Sequence, residues 1–147
     1  MKYKGKNEIG IFIGKLYGKD LAATEGFNTV NYIVPVPLHP KKQKIRGYNQ
    51  SEMFALGLAE SMKIPVDTHT LIKTTATETQ TKKSRFSRWE NVKEVFAVQD
   101  TDHFKNKHIL LVDDVITTGA TIESCVTKLQ QAEGIKISVV SMAFAYH

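Results

Sequence analysis

Two adjacent carboxylates and a threonine-rich turn stand within nine residues of each other. They are Asp113 and Asp114, then Thr117, Thr118, Gly119, Ala120 and Thr121. An ionised carboxylate only accepts hydrogen bonds, so a pair of them suits the hydroxyl donors of a sugar. Threonine hydroxyls and the unpaired backbone N–H groups at a helix start suit a phosphate. Gly119 lets the backbone approach that phosphate without a Cβ in the way. Read together, these residues form a receptor for a sugar phosphate. A blander reading is a strand ending in a solvated acid pair, followed by an ordinary capped helix. It requires the whole string to arise by accident, and acids buried without partners are costly.

The elements that must hold these residues can be read around them. Ile109 to Val112 is a continuous apolar run, which suits a strand of a parallel sheet covered on both faces. The acids then emerge at its carboxyl end, where open α/β sheets bind ligands. A helix follows from Ala120 to about Ala132, and Lys136 to Tyr146 forms a final strand. Upstream, apolar residues at mostly helical spacing predict a first helix from about Glu8 to Ala23. Gly10, Gly14 and Gly18 fall four apart in it and predict close packing against a neighbouring helix. Thr29 to Val36 reads as a strand, ended by Pro35 and Pro37. A loop follows, and then a helix opening at Asn49 and running to about Met62, with Asn49 and Glu52 as a capping pair. Ile64 to Val66 and Thr70 to Ile72 read as a short strand region, and Val95 to Val98 as another strand. Lys73 to Arg88 is polar and reads as a mobile loop. The order gives an α/β fold of one domain, residues 1–147, with a largely parallel central sheet flanked by helices. Right-handed crossovers place the loops after Val36 and after Val112 at the same end of the sheet.

The formal net charge is +5, and the basic residues cluster. Lys41, Lys42, Lys44 and Arg46 form one group; Lys82, Lys83, Arg85 and Arg88 form another. Such groups serve a nucleic acid, a polyphosphate substrate, or nothing beyond solubility. Arg46 and Arg88 suit phosphate better than the lysines, since a guanidinium holds it through two parallel hydrogen bonds. Cys125 is the single cysteine, which excludes an intramolecular disulfide and a cysteine-based zinc site. No apolar run is long enough to span a bilayer, and the N-terminus lacks the features of a signal peptide. These points favour the cytoplasm.

The string from Ile109 to Thr121 resembles the phosphoribosyl-pyrophosphate (PRPP) signature of type I phosphoribosyltransferases. The segment from Val34 to Glu52 (VPVPLHPKKQKIRGYNQSE) resembles the ComF family, a branch of that superfamily associated with DNA uptake. Its pattern of P-V-P-L-H, basic residues and R-G-[FY]-N-Q is matched by Pro35 to His39 and by Arg46 to Gln50. ComF-like proteins usually carry an N-terminal four-cysteine zinc ribbon; this chain has one cysteine and starts at the helix that would follow it.

The resemblance implies a type I phosphoribosyltransferase fold with a minimal hood. It implies that Asp113 and Asp114 hold the ribose hydroxyls and are the catalytic acids. Thr117, Thr118, Gly119, Ala120 and Thr121 would wrap the 5′-phosphate. Val36, Pro37, Leu38, His39 and Arg46 would meet the pyrophosphate; Pro37 has no N–H, so the backbone contact falls to Leu38 and His39. Lys82, Lys83, Arg85 and Arg88 would belong to a flexible loop acting as a lid. His39 and Arg46 also have structural readings, in the loop and against Tyr48. The implied chemistry is transfer of ribose 5-phosphate from PRPP to a nitrogen acceptor, with Mg²⁺ held through the substrate rather than by a metal site of the protein. Partners implied are PRPP, ssDNA and competence or replication-restart proteins, and no membrane; a homodimer is left open. Two other functions stand beside the enzyme: a non-catalytic adaptor or ssDNA-binding factor in transformation, and a nucleobase-salvage phosphoribosyltransferase. No residue set reads as a nucleobase pocket, which disfavours the last.

Overall fold

The computed structural model describes residues 4–74 and 95–145. Helix α1 (Lys4–Ala22) leads to strand β1 (Tyr32–Pro35), the short helix α2 (Pro40–Arg46) and helix α3 (Gln50–Met62). Strands β2 (Leu71–Thr74) and β3 (Val95–Val98) follow. Then come a 3-10 turn (Asp102–Phe104), strand β4 (His108–Ile116), helix α4 (Ala120–Leu129) and strand β5 (Lys136–Phe144).

The main sheet has the order β1-β4-β5, parallel throughout. Ile109, Leu110, Leu111 and Val112 are fully buried in its central strand, which accounts for their unbroken apolar run. Their side chains alternate between two cores. Ile109 and Leu111 join Val34, Cys125 and Leu129 under α4. Leu110 and Val112 join Ile33, Phe54 and Leu58 under α1 and α3. The molecule is thus a helix–sheet–helix sandwich, the expected α/β class. At the opposite end of β4 from the acids, the buried His108 bridges Thr29 Oγ1 (2.7 Å) and Ser138 Oγ (2.8 Å). Burial, helped by the charge of Lys136, holds its pKa below the usual range.

The glycines of α1 do what their spacing predicts. Gly10, Gly14 and Gly18 lie against Met53, Gly57 and Ser61 of α3. A Cβ on Gly14 would overlap the Phe54 carbonyl and come within 2.9 Å of Gly57 Cα. Ser61 Oγ then donates to the Lys15 carbonyl at 2.7 Å across the same contact.

Several expectations change. The segment after Val36 is not all loop, because Pro40 to Arg46 is helical. Proline costs nothing at a helix start, where its missing N–H has no partner to lose; His39 caps the helix, and Gly47 ends it at φ 86°. The strand carrying the acids runs on to Ile116, since β5 continues to pair with it through Asp113↔Ser141 and Ile116↔Phe144. The following helix stops at Leu129 and the last strand at Phe144. Ile64 to Val66 contributes only a single parallel bridge, Val66 to Ile33. Strands β2 and β3 form a separate antiparallel pair instead of joining the main sheet. Lys82, Lys83, Arg85 and Arg88 lie outside the described residues.

Candidate functional site

Asp113 sits where β4 leaves the core. It is buried, and its Oδ1 accepts hydrogen bonds from Ser51 Oγ (3.3 Å) and the Asp114 N–H (2.9 Å). Burial pushes its carboxyl up to about 6, and the hydrogen bond and negative charge of Asp114 push the same way. The Asp114 N–H and the Ser51 hydroxyl pull it partly back. Asp114 is half-buried, and its Oδ1 accepts from the Val115 N–H at 2.9 Å. Its carbonyl accepts from Ser141 Oγ on the neighbouring strand. The two acids are therefore held by backbone and hydroxyl donors from β4, β5 and the first turn of α3.

The turn beyond β4 wraps a small concavity. Thr117, Thr118, Gly119, Ala120, Thr121 and Asp113 line it together. Gly119 has φ 84°, the left-handed region, while a Cβ there would meet no atom of the described residues within 4 Å. In this chain the demand for glycine is therefore conformational. Thr118 Oγ1 accepts from the Ala120 N–H at 3.3 Å, closing the turn. Beyond Ala120, the next N–H groups of the first turn of α4, those of Thr121 and Ile122, have no intrahelical acceptor and suit an anion.

A second cavity, of about 230 Å³, opens beside the first and shares Asp113, Val115 and Thr121 with it. Val36, Pro37, Leu38 and Arg46 form its opposite wall, joined by Lys42 and Lys73, with Asp114 on the acidic side. The loop after β1 and the loop after β4 do face one another, as parallel neighbours must. Arg46 Nη1 donates to Gln50 Oε1 at 3.1 Å from an exposed position. His39 is not among the cavity's lining residues; its Nδ1 accepts from the Lys41 N–H at 3.1 Å as the cap of α2.

A phosphoribosyl transferase domain model matches residues 49–145. The chain belongs to that family. Within it the chain is of ComF type, by its likeness to named relatives. It is 32% identical to Competence protein F of Haemophilus influenzae over 119 residues, 80% of this chain and 52% of the relative. It is 30% identical to DNA utilization protein YhgH of Escherichia coli over 125 residues, 83% of this chain and 54% of the relative. The chain spans about half the length of these relatives. Among solved structures, a glutamine PRPP amidotransferase from B. subtilis matches with TM-score 0.58 and 25% identity, over 88% of this chain and 26% of that one. A hypoxanthine phosphoribosyltransferase from Staphylococcus aureus matches with TM-score 0.54 and 18% identity, over 92% and 62%. The second likeness shows the fold alone.

Sequence reasoning misses two residues of this candidate site. Ser51 reaches Asp113 from the first turn of α3, 62 residues away in the chain, and no local pattern marks it. Lys73 reads as the start of a polar loop, yet it lies in β2 and lines the larger cavity. Among the described residues no helix is long and apolar enough to cross a membrane.

Proposed function

We propose that the protein binds PRPP with Mg²⁺ and transfers its ribose 5-phosphate unit to a nitrogen acceptor, releasing pyrophosphate, in a process serving DNA uptake or use. One observation carries the reading: the acid pair, the phosphate turn and a basic wall surround two adjoining cavities at one end of the sheet. Asp113 and Asp114 accept the ribose hydroxyls. The turn from Thr117 to Thr121 holds the 5′-phosphate. Lys42, Arg46 and Lys73, with the backbone of Val36 to Leu38, meet the diphosphate.

In the reaction the bond from C1 of the ribose to pyrophosphate oxygen breaks. A bond from the acceptor nitrogen to C1 forms, and that nitrogen gives up its proton. The ring passes through an oxocarbenium-like state, which the adjacent carboxylates favour electrostatically. Among the described residues no group of three or more His, Cys, Asp or Glu side chains forms a metal site. Two acids facing a diphosphate cavity fit Mg²⁺, which binds through one or two carboxylates and substrate phosphate oxygens. When bound, the ion neutralises charge on the leaving pyrophosphate.

Calorimetric titration with PRPP and Mg²⁺ tests the reading, beside an Asp113→Asn/Asp114→Asn double variant. Saturable binding lost in the variant is expected. Equal binding in both proteins, or none in the wild type, refutes the site. Turnover is then read as pyrophosphate release with candidate acceptors.

A second reading, a non-catalytic adaptor that binds ssDNA, is favoured by α2. Its Lys41, Lys42, Lys44 and Arg46 are all exposed, and no acid lies among them. Binding to an oligonucleotide that weakens steeply with salt, without PRPP turnover, is its signature.

A further inference from the structure

We propose that Asn49 and Ser51 are positioning residues that lock the diphosphate loop and Asp113 into one rigid unit. The inference rests on the PRPP reading of the site and explains part of a motif, Arg46 to Gln50, that the reading leaves mostly unused.

The connection is continuous. Asn49 Nδ2 donates to the Val36 carbonyl at 3.0 Å. Asn49 Oδ1 accepts from the Ser51 N–H at 3.0 Å, capping α3. Ser51 Oγ then donates to Asp113 Oδ1 at 3.3 Å. The loop is also tied to β4 directly, by the Val36 N–H donating to the Val112 carbonyl at 2.8 Å. Asn49 is 5% exposed and Ser51 4%, so water competes poorly for either side chain.

The residue types are specific to this task. Aspartate, serine or threonine would cap α3 as well as asparagine does. None of them offers an N–H to Val36 while its oxygen caps the helix. The amide carries its donor and its acceptor on separate atoms, so Nδ2 reaches Val36 while Oδ1 caps the helix, which also fixes which way it points; a hydroxyl has one shorter-reaching oxygen for both. Serine at 51 likewise supplies a donor where a second acid already crowds Asp113. The loop and the acids therefore sit at a separation set by this helix start together with the β1–β4 pairing.

Asn49→Ser separates the two jobs, because it keeps the cap and loses the tie to Val36. Ser51→Ala removes the only side-chain donor to Asp113 among the described residues. Affinities for PRPP and for ribose 5-phosphate, each with Mg²⁺, are measured by calorimetry, with melting temperature as the folding control. We expect Asn49→Ser to weaken PRPP about five- to tenfold, the scale of one lost buried hydrogen bond. Ribose 5-phosphate, which lacks the diphosphate, should change less than about twofold on the same scale. Ser51→Ala should weaken both ligands. A purely structural role would move the melting temperature and weaken PRPP and ribose 5-phosphate alike in Asn49→Ser. PRPP affinity within about twofold of wild type in Asn49→Ser, an equal loss for both ligands there, or unchanged affinity for both ligands in Ser51→Ala overturns the positioning role. If the wild type binds no PRPP, the reading of the site falls first and the positioning role falls with it. If the wild type binds and the variants match it, only the positioning role falls.

Discussion

Replacing Asp113 by asparagine should stabilise the protein at neutral pH while abolishing its ligand site. The side chain is 8% exposed, and its carboxyl is pushed up to about 6 from 3.8, chiefly by burial and by Asp114. A group whose folded pKa exceeds its unfolded value binds more protons in the native state. Stability then falls as pH rises from about 4 to about 6, and the loss is complete above that. A shift of this size corresponds to roughly 2 to 3 kcal/mol, since one unit is about 1.4 kcal/mol. Asparagine keeps an oxygen for the Ser51 hydroxyl and the Asp114 N–H, and removes the buried charge. Urea unfolding of wild type and Asp113→Asn at pH 4, 5, 6 and 7.5 measures the effect. Titrating groups away from the acid pair cancel in the difference; Asp114, which interacts with Asp113, contributes to it. We expect the variant to gain on the order of 2 kcal/mol at pH 7.5, with the gain fading towards pH 4. A variant that is no more stable at pH 7.5, or a difference that does not change with pH, would refute the account of a strained buried acid. A gain in stability together with lost PRPP binding would mark Asp113 as a residue kept for function at a cost to the fold.

Three further outcomes follow from the same structure. Gly57→Ala puts a Cβ against the Ile11 carbonyl and Gly14 Cα, so α1 must move off α3; thermal unfolding should show a loss of about 1 to 3 kcal/mol, the usual cost of overpacking. Asp67→Ala should lose about 1 to 3 kcal/mol at neutral pH, because it leaves the Thr70 hydroxyl and the N–H groups of His69 and Thr70 without their acceptor. Burial raises the Asp67 pKa, yet Thr70, His69 and His103 outweigh it and the net shift is downward. The deficit, read by denaturant titration, should therefore hold at neutral pH and shrink as pH falls below about 4. Gly119→Ala forces a side chain into the left-handed region without a steric clash. It should cost about 1 kcal/mol in melting experiments, and weaken binding of the 5′-phosphate group where the turn opens to relieve the strain.

The parts of the fold written as periodicity were legible. The run Ile109 to Val112 specified a doubly covered strand, and the glycines four apart specified a close helix contact. The N-cap at Asn49 was readable because it depends on residues two positions away. What escaped depended on distance or on ambiguous punctuation. Pro40 is as much a helix starter as a loop marker, and sequence alone gave no reason to choose. The continuation of β4 to Ile116 is imposed by β5, whose pairing overrides the poor strand propensity of two aspartates. The same limit hid Ser51, whose role exists only once α3 lies against the end of β4. One short segment carries the two acids and the threonine-rich turn, and Asp113 lines one concavity with that turn. The facing wall needed Lys73 from a strand outside the main sheet.

The placement of β1 beside β4 has a kinetic consequence. Thr29 and His108, 79 residues apart, are in hydrogen-bond contact at the foot of these strands, and the two ligand loops leave their other end. That pairing closes a long loop before it returns any contact energy, so it belongs to the slow part of folding. The helical contact between α1 and α3 is nearer in sequence and free to form earlier. A ligand that needs both loops has nothing to grip until the strands have met. It should leave the folding rate nearly untouched and act by slowing unfolding, as an interaction absent from the transition state does.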